Sequence, residues 1–186
     1  MKTPFLRWLV AATAVTSLFL GVAHAQVDTS KSTVTATSKQ MNVPVEGTFK
    51  KFTAQLDFDP AKPAAGSARL SIDTASYDLG DDSYNQQVRG KEWFDTAHYP
   101  NATFVSSAIA PAGSNQFNVS GTLTIKGKSA NVTVPVKVTQ QGSTQSFDGA
   151  LPIKRSQFEI GTGEWKDTSV VADEVVIKFH IIAAKK

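Results

Sequence analysis

From Ser30 to the C-terminus, apolar side chains recur mainly at every second position, the period of a strand with one buried face. Leu56 and Phe58 alternate with Gln55, Asp57 and Asp59, and Ala68, Leu70 and Ile72 alternate with Arg69, Ser71 and Asp73. The same alternation runs through Phe117–Val119–Gly121–Leu123–Ile125, through Val132–Val134–Val136–Val138, and through Val175–Ile177–Phe179–Ile181. Turn chemistry punctuates these runs. Asp59 to Gly66 carries two prolines, Pro111 to Asn115 contains Gly113, Lys126-Gly127-Lys128 suits a tight hairpin, and Gln140 to Thr144 contains Gly142. Pro135 lies on the polar phase of its run, which predicts an edge position or a bulge because proline has no N–H to donate. Gly47 and Gly121 fall inside strand runs, where a bend or bulge is expected. One stretch departs from the pattern: Asp81–Gly90 begins with two acids and ends Arg-Gly, the charge order of a short helix. Repeated amphipathic strands bury their edges either in a closed barrel or in a two-sheet sandwich, and periodicity alone is compatible with both.

The N-terminus follows different rules. Lys2 and Arg7 precede an uncharged apolar run that closes on Ala23-His24-Ala25, the pattern of a cleaved export signal. This predicts a leader at 1–25 and a single β domain at 26–186, exported to the periplasm. Removing 25 of 186 residues leaves 161, long enough to be held by a core without disulfides, and the chain has no Cys. The formal charge of +3 falls to about +1 once Lys2 and Arg7 are gone, leaving no basic face for nucleic acid.

Chemistry is sparse. Without Cys there is no thiol nucleophile or thiolate metal site. His98 and His180 are far apart and match no ligand spacing, and neither a Gly-x-Ser-x-Gly elbow nor a Gly-rich phosphate loop is present. Catalytic residues, metal and cofactor are therefore all expected to be absent. What stands out is the apolar inventory, with 11 Phe in the chain, most beside strand runs. Such side chains either pack a solid core or line an apolar cavity for a hydrophobic ligand.

Six segments in order add to this reading. They are Val45–Phe52, Leu56–Pro60, Ala68–Asp73, Asp95–Phe104, Val119–Gly127 and Ile153–Phe158. Together they closely resemble the YceI-like family of periplasmic, lipocalin-like proteins. The resemblance implies an all-β fold, an eight-stranded antiparallel β-barrel with one short helix around an apolar tunnel. It also implies binding of a long-chain polyisoprenoid or isoprenoid-quinone-like lipid, no catalytic residues, and homodimeric packing. The chain departs from the family pattern at Thr29–Ser32, where an early histidine is replaced, and in its compact Glu159–Asp167 segment. Strand phase then nominates Phe58, Leu70, Ile72, Phe104, Leu123, Ile125, Val134, Val136, Phe158, Trp165 and Phe179 for the tunnel wall. Tyr84, Arg155 and His98 are nominated for the polar end, where donors would fix a head group. The competing reading is a β domain that presents an edge or face to a protein partner, with no lipid.

Overall fold

The computed structural model describes residues 25–185; the predicted leader lies outside them except for Ala25. The described chain forms one curled antiparallel sheet. Its strands are β1 (Thr33–Gln40), β2 (Val43–Phe49), β3 (Phe52–Asp57), β4 (Ser67–Asp73), β5 (Tyr77–Asp78), β6 (Asn101–Gly113), β7 (Gln116–Ile125), β8 (Lys128–Gln141), β9 (Thr144–Lys154) and β10 (Glu174–Ala184). Hydrogen-bonded neighbours run β3-β4-β6-β7-β8-β9-β10-β1-β2-β5. Only Lys50 and Lys51 separate β2 from β3, so these two pieces are one bent strand that joins the two ends of the ladder. Counted that way, with the two-residue β5 set aside, eight strands run round the barrel. A barrel, rather than a sandwich, is how these amphipathic strands hide their edges.

Local signals account for most turns. Lys126 (φ 48°) and Gly127 (φ 71°) both adopt positive φ between the paired residues Ile125 and Lys128, the mirror-image turn whose twist matches a hairpin. Met41 (φ 47°) and Asn42 (φ 65°) do the same between Gln40 and Val43 without any glycine. The predicted helix is α1 (Asp82–Arg89), capped by the Asp81 carboxylate, which accepts from the backbone N–H of Ser83 and Tyr84. Arg89 closes it against the negative end of the helix dipole.

Two features of the sheet differ from the sequence reading. Pro111 does not belong to a turn: it lies in β6, paired with Phe117, and the chain reverses only at Ser114-Asn115. Gly121 sits opposite an irregularity, as expected, but the extra residue is in its partner strand, where register shifts between Ser106 and Ala108. Pro135 occupies a local edge. The β8–β9 ladder ends at Val136↔Gly149, so Pro135 is paired only with Asn118 of β7.

Beyond that point β8 and β9 part, and a short 3-10 turn, Arg155–Phe158, closes the gap. Phe158, 1% exposed, packs with Ile160, Leu123 and Ile125 against Ala130 and Val132 of β8 and Leu151 and Ile153 of β9. An ion pair from Lys128 to Glu159 (2.9 Å) ties the turn to β8. At a second seam, Ala25–Asp28 bridges strands that do not pair with each other: Ala25 bonds to Leu56 of β3 and Val27 pairs with Ala183 of β10.

Candidate functional site

The barrel interior holds two chambers. The first, about 130 Å³, is enclosed by β3, β4 and β6–β10 and is apolar almost throughout. Roughly 10–15 Å³ suffices for one water, so this space is large, yet its lining offers almost nothing to hydrogen-bond. Its wall includes a cluster of rings: Phe58 meets Phe117 at 4.9 Å and Phe147 at 5.6 Å, both edge to face. The second chamber, about 360 Å³, lies between β1, β2 and α1 and the loops before β6 and β10. Its wall mixes apolar residues such as Phe49, Val88, Phe94 and Ile160 with Ser38, Gln40, Tyr77, Tyr84 and Gln87. Ile177 of β10 lines both.

The lumen stays open partly because of residues that have no side chain. The Phe179 ring lies over Gly149, Phe104 over Gly121 and Tyr77 over Gly47, so closely that a Cβ on any of the three glycines would overlap the ring. Each aromatic therefore lies flush with the wall and does not project across the bore. Gly47 is regularly paired with Ala36, so its place in the strand is explained by the Tyr77 ring and not by a bend.

Phe58, Leu70, Ile72, Phe104, Leu123, Val134, Val136 and Phe179 all line the first chamber. Ile125, Trp165 and Tyr84 line the second, with Tyr84 56% exposed at its mouth on α1. Three nominated residues stand elsewhere or do something else. Phe158 lines neither chamber, since it fills the gap between β8 and β9. His98 is exposed, pairs with Asp95 at 2.8 Å and borders neither chamber.

Arg155 is the third correction. It is 2% exposed, and all five of its N–H groups are donated to backbone carbonyls. Nε reaches Ala172 (3.1 Å), Nη1 reaches Ile160 (2.9 Å) and Gly161 (2.8 Å), and Nη2 reaches Trp165 and Val171 (both 2.8 Å). Burial lowers its pKa and nearby Asp173 acts in the opposite direction, while a guanidinium remains charged in either case. Arg155 is thus the post around which residues 160–172 are wound, and it has no donor left for a head group. Tyr77 is similarly engaged: its hydroxyl donates to the Ala36 carbonyl at 3.0 Å, and burial pushes its pKa up to about 12.

The sequence reading missed several lining residues. Phe117, Val119, Val138, Phe147, Leu151, Ile177 and Ile181 continue the same strand phases in the first chamber, so alternation could have found them, whereas Ile109 is thrown out of phase with Phe104 by the extra residue between Ser106 and Ala108. Trp93 and Phe94 could not be found that way. They sit in a loop fixed by backbone bonds, Trp93 N–H to Gly90 (3.0 Å) and Phe94 N–H to Val88 (3.0 Å), which carries no strand period. Among the described residues, no group of three or more His, Cys, Asp or Glu is placed to hold a metal ion.

A family model described as a YceI-like domain matches residues 26–183. Protein YceI of Escherichia coli O6:H1 is 33% identical over 122 residues, covering 62% of this chain and 63% of that protein. A UPF0312 protein of Azotobacter vinelandii is 27% identical over 135 residues, covering 69% of this chain and 68% of that one. Among solved structures, Burkholderia cenocepacia BcnA is 70% identical with a TM-score of 0.84, over 85% of this chain and 99% of BcnA. A polyisoprenoid binding domain from Saccharophagus degradans superposes with a TM-score of 0.73 at 20% identity, over 88% of this chain and 99% of that domain. That last likeness is one of fold alone.

Proposed function

Because this chain belongs to the YceI-like family, we propose that it carries or sequesters a long isoprenoid lipid inside its barrel, by burial and without catalysis. The observation that carries the reading is the first chamber: an interior space walled by aliphatic and aromatic side chains, among them the contacting rings of Phe58, Phe117 and Phe147. Apolar burial contributes about 0.8 kcal/mol per methylene, so a chain-like guest gains affinity with every carbon it places there. The second chamber, with Tyr84 and Gln87 exposed at its edge, receives the polar end. The polyisoprenoid binding domain of Saccharophagus degradans, which shares the fold, is consistent with a guest of this kind. In this proposal the apolar N-terminal run directs export and is removed after Ala25, and the carrier works in the periplasm. No helix among the described residues is long and apolar enough to cross a membrane.

The test is direct. Protein purified from its native host is extracted with organic solvent, and both the extract and the intact complex are weighed by mass spectrometry. A co-purifying prenyl lipid is expected. A protein that emerges at its bare mass and takes up no added prenyl quinone is not such a carrier.

A further inference from the structure

The large apolar side chains that stand in water gather at one end of the barrel. Among the described residues they are Met41 (70% exposed), Val43 (62%), Tyr84 (56%) and Tyr99 (38%). β1 ends beside the start of β10, which pairs with the end of β9. β8, antiparallel to β9, starts at that same end, with the Lys126-Gly127 turn just before it. The Tyr99 ring lies there against Gly127. Tyr84 lines the second chamber together with Ser38 and Gln40, next to the β1–β2 turn. The loops at the opposite end, residues 59–66, 114–115 and 142–143, expose no large apolar side chain.

Met41 occupies its place at a cost. It sits at φ 47° in a two-residue turn, a left-handed conformation that favours Asn or Gly, and its side chain lines neither chamber. The turn is held by backbone bonds, Met41 N–H to the Val170 carbonyl (2.8 Å) and the bridge from Gln40 to Val171. Its apolar side chains are thus free of that task. Val43 extends a track. Gln40 pairs with Val43 and Ser38 with Val45, so alternation puts Val43 on the same face as Val45, one step further out. Val45 lines the second chamber, and the apolar wall therefore continues past the rim into solvent.

Resting on the lipid-carrier reading, we infer that the β1–β2 turn and Tyr84 dock on a phospholipid bilayer. Met41 and Val43 insert among the acyl chains, and the guest passes along Val43 and Val45 into the second chamber. A bilayer suits these side chains better than a protein does. They form a turn tip and a separate ring, on the order of a few hundred Å² at most, against about 800 Å² per partner in a stable complex. An exposed tyrosine at such a rim belongs to the head-group layer, where its ring is half apolar and its hydroxyl is wet. Charge does not drive the contact: exposed Lys39 and Lys166 are matched by exposed Asp82 and Glu164 on the same three segments. The attraction is that of apolar side chains leaving water at the membrane surface.

The experiment floats the purified protein with vesicles of phosphatidylethanolamine and phosphatidylglycerol, comparing wild type with the double variant Met41→Ser, Val43→Ser. Both side chains are exposed and line neither chamber, so the variant is expected to bind tetraprenyl benzoquinone in detergent as the wild type does. Its partition onto vesicles, and its rate of quinone uptake from them, are expected to fall about tenfold or more, the scale of one apolar side chain withdrawn from water. High salt has little effect on either. Because the chain has no Cys, a polarity-sensitive dye on Pro44→Cys reports the tip alone. Its emission shifts to the blue on vesicles, whereas the same dye on Ser143→Cys, at the far end, does not shift. If the double variant does not fold, the two dye positions decide the matter alone. A wild type that stays off vesicles, equal partition of the two proteins, or a blue shift at the far end overturns the inference, and quinone binding in detergent then leaves the lipid-carrier reading intact. Self-association abolished by the double variant, without vesicle binding, makes the tip a contact between copies and overturns the inference as well. Vesicle binding through the tip by a protein that takes up no quinone in detergent or from membranes keeps the docking surface and overturns the carrier reading.

Discussion

Arg155 shows what a buried charge does here when no acid meets it. Its guanidinium gathers five carbonyls that would otherwise point at one another inside a loop. Arg155→Met, close in shape, leaves those carbonyls without donors. It is expected to cost at least about 3 kcal/mol in urea unfolding, since several charge-assisted bonds are lost and buried acceptors stay unpaired. A second prediction concerns Gly149, where the Phe179 ring occupies the space of a side chain. Gly149→Ala pushes that ring into the lumen, with a loss of roughly 1–3 kcal/mol from overpacking and a smaller maximum tail length in a prenyl series; unchanged stability and capacity would show that the ring has room to spare. Neither role could be read from neighbouring letters. Strand phase nominates Phe158 for the tunnel wall and the family resemblance places Arg155 near its rim, but the chain leaves strand geometry at Lys154 and enters a 3-10 turn, so neither side chain points where a continuing strand would put it.

At the scale of elements, α1 and the segment Gln26–Asp28, which pairs with β10 through Val27 and Ala183, complete the barrel beyond its regular strands. The helix depends on its cap. Asp81→Ala removes the acceptor for Ser83 and Tyr84, and about 1 kcal/mol is the ordinary cost, corresponding to roughly 2–4 °C in Tm for a chain of this size. Ligand exchange should quicken in this variant, because α1 carries Tyr84 and Gln87 at the edge of the second chamber. The N-terminal bridge depends on Asp28, whose carboxylate is held down from 3.8 to about 2, first by the Ser30 hydroxyl and then by Lys31. A depressed carboxylate stabilises the folded form above its unfolded pKa, and the contribution fades as pH falls from 3.8 through about 2. Amide exchange at Asp28 and Ser30 is expected to accelerate in that acid window, ahead of amides in β7 and β8; simultaneous exposure of all would mean the bridge has no separate opening. Most of these elements were legible because hydrophobic period and turn chemistry agree: α1 matched to within a residue, and the Lys126-Gly127 turn lay where expected. Pro111 misled because proline reads as a loop signal, whereas β6 absorbs it beside a register irregularity near its end.

For the whole molecule, the decisive property is that a stable barrel forms around space. Binding to the folded form alone raises stability by about 2.7 kcal/mol at a ligand concentration a hundred times Kd. The melting temperature should therefore climb steadily with added prenyl quinone and stay flat with a short-chain quinone of the same ring. A Tm that ignores the long-chain ligand would argue for a protein that works without a guest. The sequence reading could reach the succession of strands and their apolar inward face, because both are periodic, whereas the count of eight came only with the family resemblance. It could not reach the hollowness, because packed and open barrels carry the same alternation, and what separates them here is the pairing of ring and glycine across neighbouring strands: Phe179 with Gly149 and Phe104 with Gly121.

Those pairings make the calibre of the duct adjustable one station at a time. Each station is a bare backbone position beneath a flat hydrocarbon plate, so exchanging the plate for a smaller aliphatic group widens the passage there, and clothing the backbone narrows it. Two such changes at different depths would turn one scaffold into a graded set of sieves, sorting guests by girth at one level and by reach at the next.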